Sequence, residues 1–124
     1  MFKKIVLLVL TLSLVSCYEQ ERNCKDFKTG KFTSETTIND KKFTSTFERN
    51  DSIQIETFEG KTDTSKVRWI NECECVMQKV NPKNREEKKA VSVRILSTKG
   101  KTYNFEYSFV GDSKKQKGSV TKVE

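Results

Sequence analysis

The chain has no histidine. That excludes Ser–His and Cys–His nucleophile pairs, and it removes a common metal ligand. It has one proline, Pro82, and five glycines. No proline-rich linker and no glycine-rich phosphate loop is present, and no nucleotide motif appears. Acids are in the minority, 17 against 24 lysines and arginines, for a net charge of +7. Long apolar runs are also scarce. One is found, Ile5 to Val15, and its 11 residues fall short of the roughly 20 needed to span a bilayer as a helix.

That run has a context. Lys3 and Lys4 precede it, and Leu14-Val15-Ser16-Cys17 follows. A positive end, a short apolar core and a small-residue cut site make a secretory leader. The tetrad is similar to the lipobox of bacterial lipoproteins, with Leu14 three before the cysteine and small Ser16 just before it. The expectation is a leader over residues 1–16, cleavage before Cys17, and a lipid on Cys17. One acyl chain holds a protein at a membrane only marginally, at about 0.8 kcal/mol per buried methylene. The two or three chains of a lipoprotein anchor would hold it durably.

Removing residues 1–16 from 124 leaves 108, enough for one domain with one core. Lys3 and Lys4 leave with the leader, so 22 basic residues face 17 acids and the mature charge is +5. Acids are interspersed through most of the chain, and the basic excess reads first as a solvated surface. Nucleic acid is not an expected partner.

With Cys17 lipidated, Cys24, Cys73 and Cys75 form an odd set in a compartment where disulfides persist. Cys73 and Cys75, two apart on what reads as a strand, would share a face and bond each other poorly. A Cys24–Cys73 bridge is favoured, and Cys24–Cys75 is the close alternative. Either closes a loop of about 50 residues, worth ~4 kcal/mol in the chain-entropy model. Cys73-Glu74-Cys75 is too tightly spaced for the usual zinc patterns, so no metal or other cofactor is expected.

Residues 17–29 read as a polar, lipidated tether with Cys24 and Phe27 as its docking points. From Gly30 to the end at residue 124, period-two alternation recurs. Phe43, Ser45, Phe47 and Arg49 share one face. Ile53, Ile55 and Thr57 share another, Val67 and Trp69 a third, and Val91, Val93 and Ile95 a fourth. Tyr103, Phe105, Tyr107 and Phe109 make the clearest strand. Ser119, Thr121 and Val123 lie together near the end. Turn signals stand at Asn50-Asp51, Glu59-Gly60-Lys61, Asn71-Glu72, Lys99-Gly100-Lys101 and Gly111-Asp112-Ser113. Arg85 to Lys89 reads as a helical turn or a charged loop. The expected fold is all-β: an antiparallel meander of about eight short strands, closed as a small lipocalin-like barrel or left as a strongly curved sheet. At this length the interior is expected to be mostly filled.

Trp69, Tyr103, Phe105, Tyr107 and Phe109 are the candidate cavity lining, although such stripes are more often plain core. Glu56 with Glu59, and Glu72 with Glu74, are carboxylate pairs that acid–base chemistry would require, but pairs on exposed strands are usually surface. No catalytic residue is assigned. Asp51-Ser52-Ile53 resembles short Asp-Ser/Thr-aliphatic sites glycosylated on some exported bacterial proteins, which makes Ser52 a candidate for modification.

Four stretches carry a wider resemblance: Asn23 to Phe32, Phe47 to Gln54, Arg68 to Cys73, and Asn81 to Asn84. Together they resemble a family of short bacterial lipoproteins across nearly the whole chain. Some members carry the name DNA topoisomerase IV. A type II topoisomerase needs an ATP-binding domain and a strand-cleaving tyrosine in a DNA-binding domain, far more than 108 residues. Topoisomerase activity is therefore not expected. Members more often have an aromatic at the position of Cys75, which implies Cys24–Cys73 as the bridge and Cys75 as the spare thiol. A looser likeness, of architecture only, is to lipoprotein inhibitors of lysozyme. The resulting expectation is an exported, membrane-anchored envelope protein, with the outer membrane favoured over the inner. It would be non-enzymatic, binding an apolar small ligand or an envelope protein. The alternatives are an inhibitor of a secreted enzyme, with residues 81–89 as its inserting loop, and a carboxylate hydrolase.

Overall fold

The period-two segments fold as strands. A computed structural model of the protein describes residues 22–124. The expected leader and Cys17 lie outside the described residues. A short 3-10 helix, Cys24–Phe27, is followed by β1 (Gly30–Ile38), β2 (Lys41–Arg49), β3 (Ile53–Phe58), β4 (Lys61–Asn71), β5 (Glu74–Lys79), β6 (Val91–Lys99), β7 (Thr102–Phe109) and β8 (Gln116–Lys122). Each strand pairs antiparallel with the next, and β8 pairs antiparallel with β1, closing a barrel. Closure decides between barrel and curved sheet, and it leaves no unpaired sheet edge.

The turns make the meander possible. Asn39 and Asp40, both at positive φ, join β1 to β2 in a two-residue hairpin. Glu59 and Gly60 do the same between β3 and β4, with Gly60 at φ +78. Positive φ at both central residues matches the twist of the flanking strands, and Asn, Asp and Gly tolerate it best. At the β2–β3 turn, Asn50 Oδ1 accepts the backbone N–H groups of Ser52 and Ile53, each at 2.9 Å. Residues 85–88 form a hydrogen-bonded turn rather than a helix, held by Glu87 N–H to Asn84 Oδ1 at 2.9 Å.

One end of the barrel is plugged. The 3-10 helix covers it, burying Cys24 and Phe27. The Phe27 ring meets Tyr103 edge-on at 5.0 Å. Burying such a ring contributes about 1.5–3 kcal/mol. The Cys24–Cys73 disulfide ties the plug to the β4–β5 turn, with Cα atoms 5.2 Å apart. Asn23 N–H to Thr98 Oγ1 (2.8 Å) and Lys122 Nζ to the Asp26 carbonyl (2.7 Å) add polar ties. Among the described residues, the buried core side chains and both bridged cysteines fall between residues 24 and 120, so the barrel has a core of its own.

Two expectations need correction, the strand position of Cys73 and the filled interior, and the structure decides which faces of β3 and β8 turn inward. Cys73 sits in the β4–β5 turn rather than on a strand, its N–H held by Asn71 Oδ1 at 2.9 Å. Cys75, on β5, is the buried free thiol. On β3, Ile53 and Ile55 face outward and are exposed, while Gln54 points in. Register is the reason: Arg49 pairs with Gln54 and Phe47 with Glu56, and opposed residues share a face. On β8 the buried residue is Val120, and Val123 is exposed. Finally, the interior is not mostly filled.

Candidate ligand-binding cavity

A cavity of about 460 Å³ occupies the barrel beyond the plug, within the range of small-molecule sites. Space remains because small and polar side chains (Ser34, Thr36, Ser45) take inward positions that larger apolar residues would fill. On β8, Gly118 lies opposite Thr36 of β1 and Phe105 of β7. A Cβ there would come within 2.7 Å of the Glu35 carbonyl and 2.9 Å of the Phe105 ring, so only glycine lets the strand approach so closely.

Arg49 forms the floor. It is 4% exposed, yet it makes no ion pair among the described residues. Its Nε donates to the Lys28 carbonyl at 3.1 Å, and Nη2 donates to the Phe27 carbonyl and, at 3.4 Å, to the Tyr103 hydroxyl. Nη1 donates to Gln54 Oε1 at 3.2 Å. The rings of Phe32, Phe47 and Trp69 lie 5.0, 5.2 and 5.3 Å from the guanidinium carbon. Carbonyl dipoles and aromatic faces thus replace the missing counter-ion. Arg49 binds the last carbonyls of the plug and holds it over the barrel end. Alternation puts Arg49 on the inner face of β2, but the segment whose carbonyls it binds is 21 and 22 residues away. Sequence reading could find its face but not its role.

The candidate lining residues separate. Tyr103, Phe105 and Tyr107 line the cavity, with successive ring centroids 6.0 and 5.8 Å apart. Phe109 lies at the mouth, beneath Lys89 Nζ at 5.2 Å, and lines an adjoining recess under the β5–β6 loop. Trp69 packs at the plug end behind Arg49, with Lys28 Nζ 5.4 Å over its ring. Phe43, Phe47 and Phe58 complete the aromatic wall.

The wall made by β3, β4 and β5 is charged. Glu56 Oε2 accepts the Ser45 hydroxyl at 3.0 Å. Lys79 bridges Asp63 at 3.5 Å and Glu87 at 3.2 Å. Burial pulls the Lys79 pKa down, but its bonds to Glu87 and Asp63 outweigh that and raise it. The ammonium therefore stays charged. Burial pushes the Tyr103 and Tyr107 hydroxyls up, opposed by Arg49 at Tyr103 and reinforced by Glu56 at Tyr107. Both stay neutral donors near pH 7. The Cys75 thiol is pushed up to about 11 by burial and is inert as a nucleophile at neutral pH.

Of the two carboxylate pairs, Glu56 and Glu59 separate, while Glu72 and Glu74 stay together in one shallow surface recess. Glu56 faces the cavity, while Glu59 is exposed on the β3–β4 turn. Glu72 pairs with Lys25 at 3.3 Å in the β4–β5 turn, and Glu74 opens β5 beside it. Ser52 is exposed on the β2–β3 turn. No cluster of acids or cysteines suited to a metal occurs among the described residues. No protein family matches this chain, and no curated protein or solved structure does either.

Proposed function

We propose that the protein is an exported lipoprotein of the short bacterial family it resembles. In this reading it is held at a membrane through Cys17, the outer one favoured, and its barrel binds a small apolar ligand without transforming it. The observation that carries the binding reading is the cavity behind Tyr103 and Phe105. Aromatic walls with a few polar groups suit an apolar molecule with one polar end. The 81–89 segment gives the enzyme-inhibitor reading less support. It is tied back to β5 through Gln78 Nε2 to the Lys88 carbonyl (3.0 Å) and through Lys79 to Glu87.

The anchor would also orient the barrel. Arg22 donates to the Ile95 carbonyl at 2.9 Å, at the plugged end. The five steps from Cys17 to Arg22 reach at most about 18 Å. A lipid on Cys17 would turn the plug toward the membrane and the cavity mouth away from it. The ligand would then enter from the aqueous side.

Two experiments test the reading. The neutral apolar fluorophore N-phenylnaphthylamine should brighten on binding the wild-type barrel, and Val93→Phe, which fills the cavity, should abolish this without loss of sheet circular dichroism. Equal brightening by both proteins removes the cavity from consideration. For the anchor, Cys17→Ala should release the protein from the membrane fraction. A variant processed normally and still membrane-bound refutes lipidation.

A further inference from the structure

The charges around the cavity are unevenly compensated, and this selects among ligands. Glu56, Asp63, Glu86 and Glu87 line the cavity or the adjoining recess, against Lys79 and Lys89. Lys79 is spent on Asp63 and Glu87, and Lys89 pairs with Glu86 at 3.3 Å. Glu56 is left without a cation among the described residues. Its one hydrogen bond comes from the neutral hydroxyl of Ser45.

Glu56 stands at mid-depth on β3, between Gln54 at the floor and Phe58 nearer the mouth. Around it the cavity presents aromatic side chains. Phe43 and Phe58 are 6.1 Å apart, and Phe105 and Tyr107 are 5.8 Å apart. A carboxylate with no ion-pair partner among the described residues, in a cavity also lined by aromatic rings, is the chemistry that recognises an organic ammonium, by charge and by ring quadrupoles. The charge at the floor does not offer the same to an anion. Four of the Arg49 N–H donors are engaged and rings lie against its faces, so a carboxylate reaching it from the cavity would have to compete with Gln54 and Tyr103 for donors already in use.

We propose that the ligand is an amphipathic organic cation of the alkylamine class. Its ammonium sits against Glu56 and its apolar body lies along the aromatic wall. This rests on the cavity-binding reading above.

The test uses residues 17–124 carrying Cys17→Ser, since the barrel holds its own core. Decylammonium, decanol and decanoate, all below their micellar concentrations, are titrated against bound N-phenylnaphthylamine. Decylammonium should displace the fluorophore roughly tenfold more tightly than decanol, equivalent to about 1.4 kcal/mol, and decanoate should be weakest. Glu56→Gln should bring decylammonium to within about twofold of decanol. Equal binding of decylammonium and decanol, or a preference that survives Glu56→Gln, overturns the cation assignment while cavity binding stands. Tightest binding by decanoate overturns it too, and transfers the head group to Arg49. If none of the three displaces the fluorophore, the cation assignment is overturned while cavity binding stands; if the fluorophore itself does not bind, the cavity-binding reading fails and the inference falls with it. The order of the three probes on the wild-type protein is decisive even if Glu56→Gln does not fold.

Discussion

Arg49→Met removes the one buried cation among the described residues while keeping much of its volume. The Phe27 carbonyl loses its donor at a buried site, and the Lys28 carbonyl loses its donor at a part-buried one. An orphaned buried acceptor costs about 1–3 kcal/mol. Gln54 and Tyr103 also lose a partner, but they line the cavity, where water can replace it. Release of a buried charge returns part of the loss. The net expectation is about 3 kcal/mol of destabilisation, a large fraction of the roughly 5–15 kcal/mol that holds a domain together. At about 4–8 °C per kcal/mol for a domain of this size, the melting temperature should fall by about 12–24 °C. Urea unfolding followed by Trp69 fluorescence measures it, because the indole lies against the substituted side chain. The plug should also loosen first, so the Cys24–Cys73 bridge should be reduced faster by dithiothreitol in the variant. Arg49→Lys keeps the charge but loses the planar fork, and should recover less than half of the stability. A methionine variant as stable as wild type, with an unchanged reduction rate, would refute the clamp.

Three further outcomes are expected. Opening the Cys24–Cys73 bridge by the paired Cys→Ser substitutions should cost about 4 kcal/mol in urea unfolding, because it closes a loop across 49 positions. Cys75 should resist iodoacetamide at pH 8 until the protein is unfolded. Its thiol ionises at 9.0 when exposed and at about 11 in the fold, so unfolding releases a proton between those values. The stabilisation is complete below pH 9 and is lost as the pH rises toward 11, by about 2–3 kcal/mol. Tyr103 steepens the same alkaline limb, and Cys75→Ala isolates the thiol's share as a change in slope. Gly118→Ala should destabilise by about 1–3 kcal/mol, since the new Cβ meets the Glu35 backbone as well as the Phe105 ring. Thermal melts that match wild type would show that β8 can shift outward.

The strands were legible because period two is a direct property of the pleat. Phe43-Ser45-Phe47 and Tyr103-Phe105-Tyr107 could face only one interior once a single core was assumed. β3 was not legible in the same way. Its isoleucines and its Gln54-Glu56-Phe58 set alternate equally well, and hydrophobicity alone favours burying the isoleucines. The pairing of Phe47 with Glu56 decides otherwise. The cavity was hidden for a related reason. Summed side-chain volumes show that a barrel can be filled, but not that Ser34, Thr36, Ser45 and Glu56 line the same cavity. Glu56 looked like half of a surface carboxylate pair until the register turned it inward.

By itself the sequence determined the all-β class, the meander and the absence of histidine chemistry, and it left the bridge between Cys24–Cys73 and Cys24–Cys75, the family resemblance implying the first. The class and the meander follow from local alternation and turn residues. Only the tertiary structure decided that β8 closes on β1, that a 3-10 plug seals one end, that Arg49 clamps it, and that Glu56 faces an open cavity with no ion-pair partner among the described residues. Each of those depends on residues distant in the chain, whose pairing is set by register and closure, and neither composition nor local period encodes where a strand lands against its neighbour.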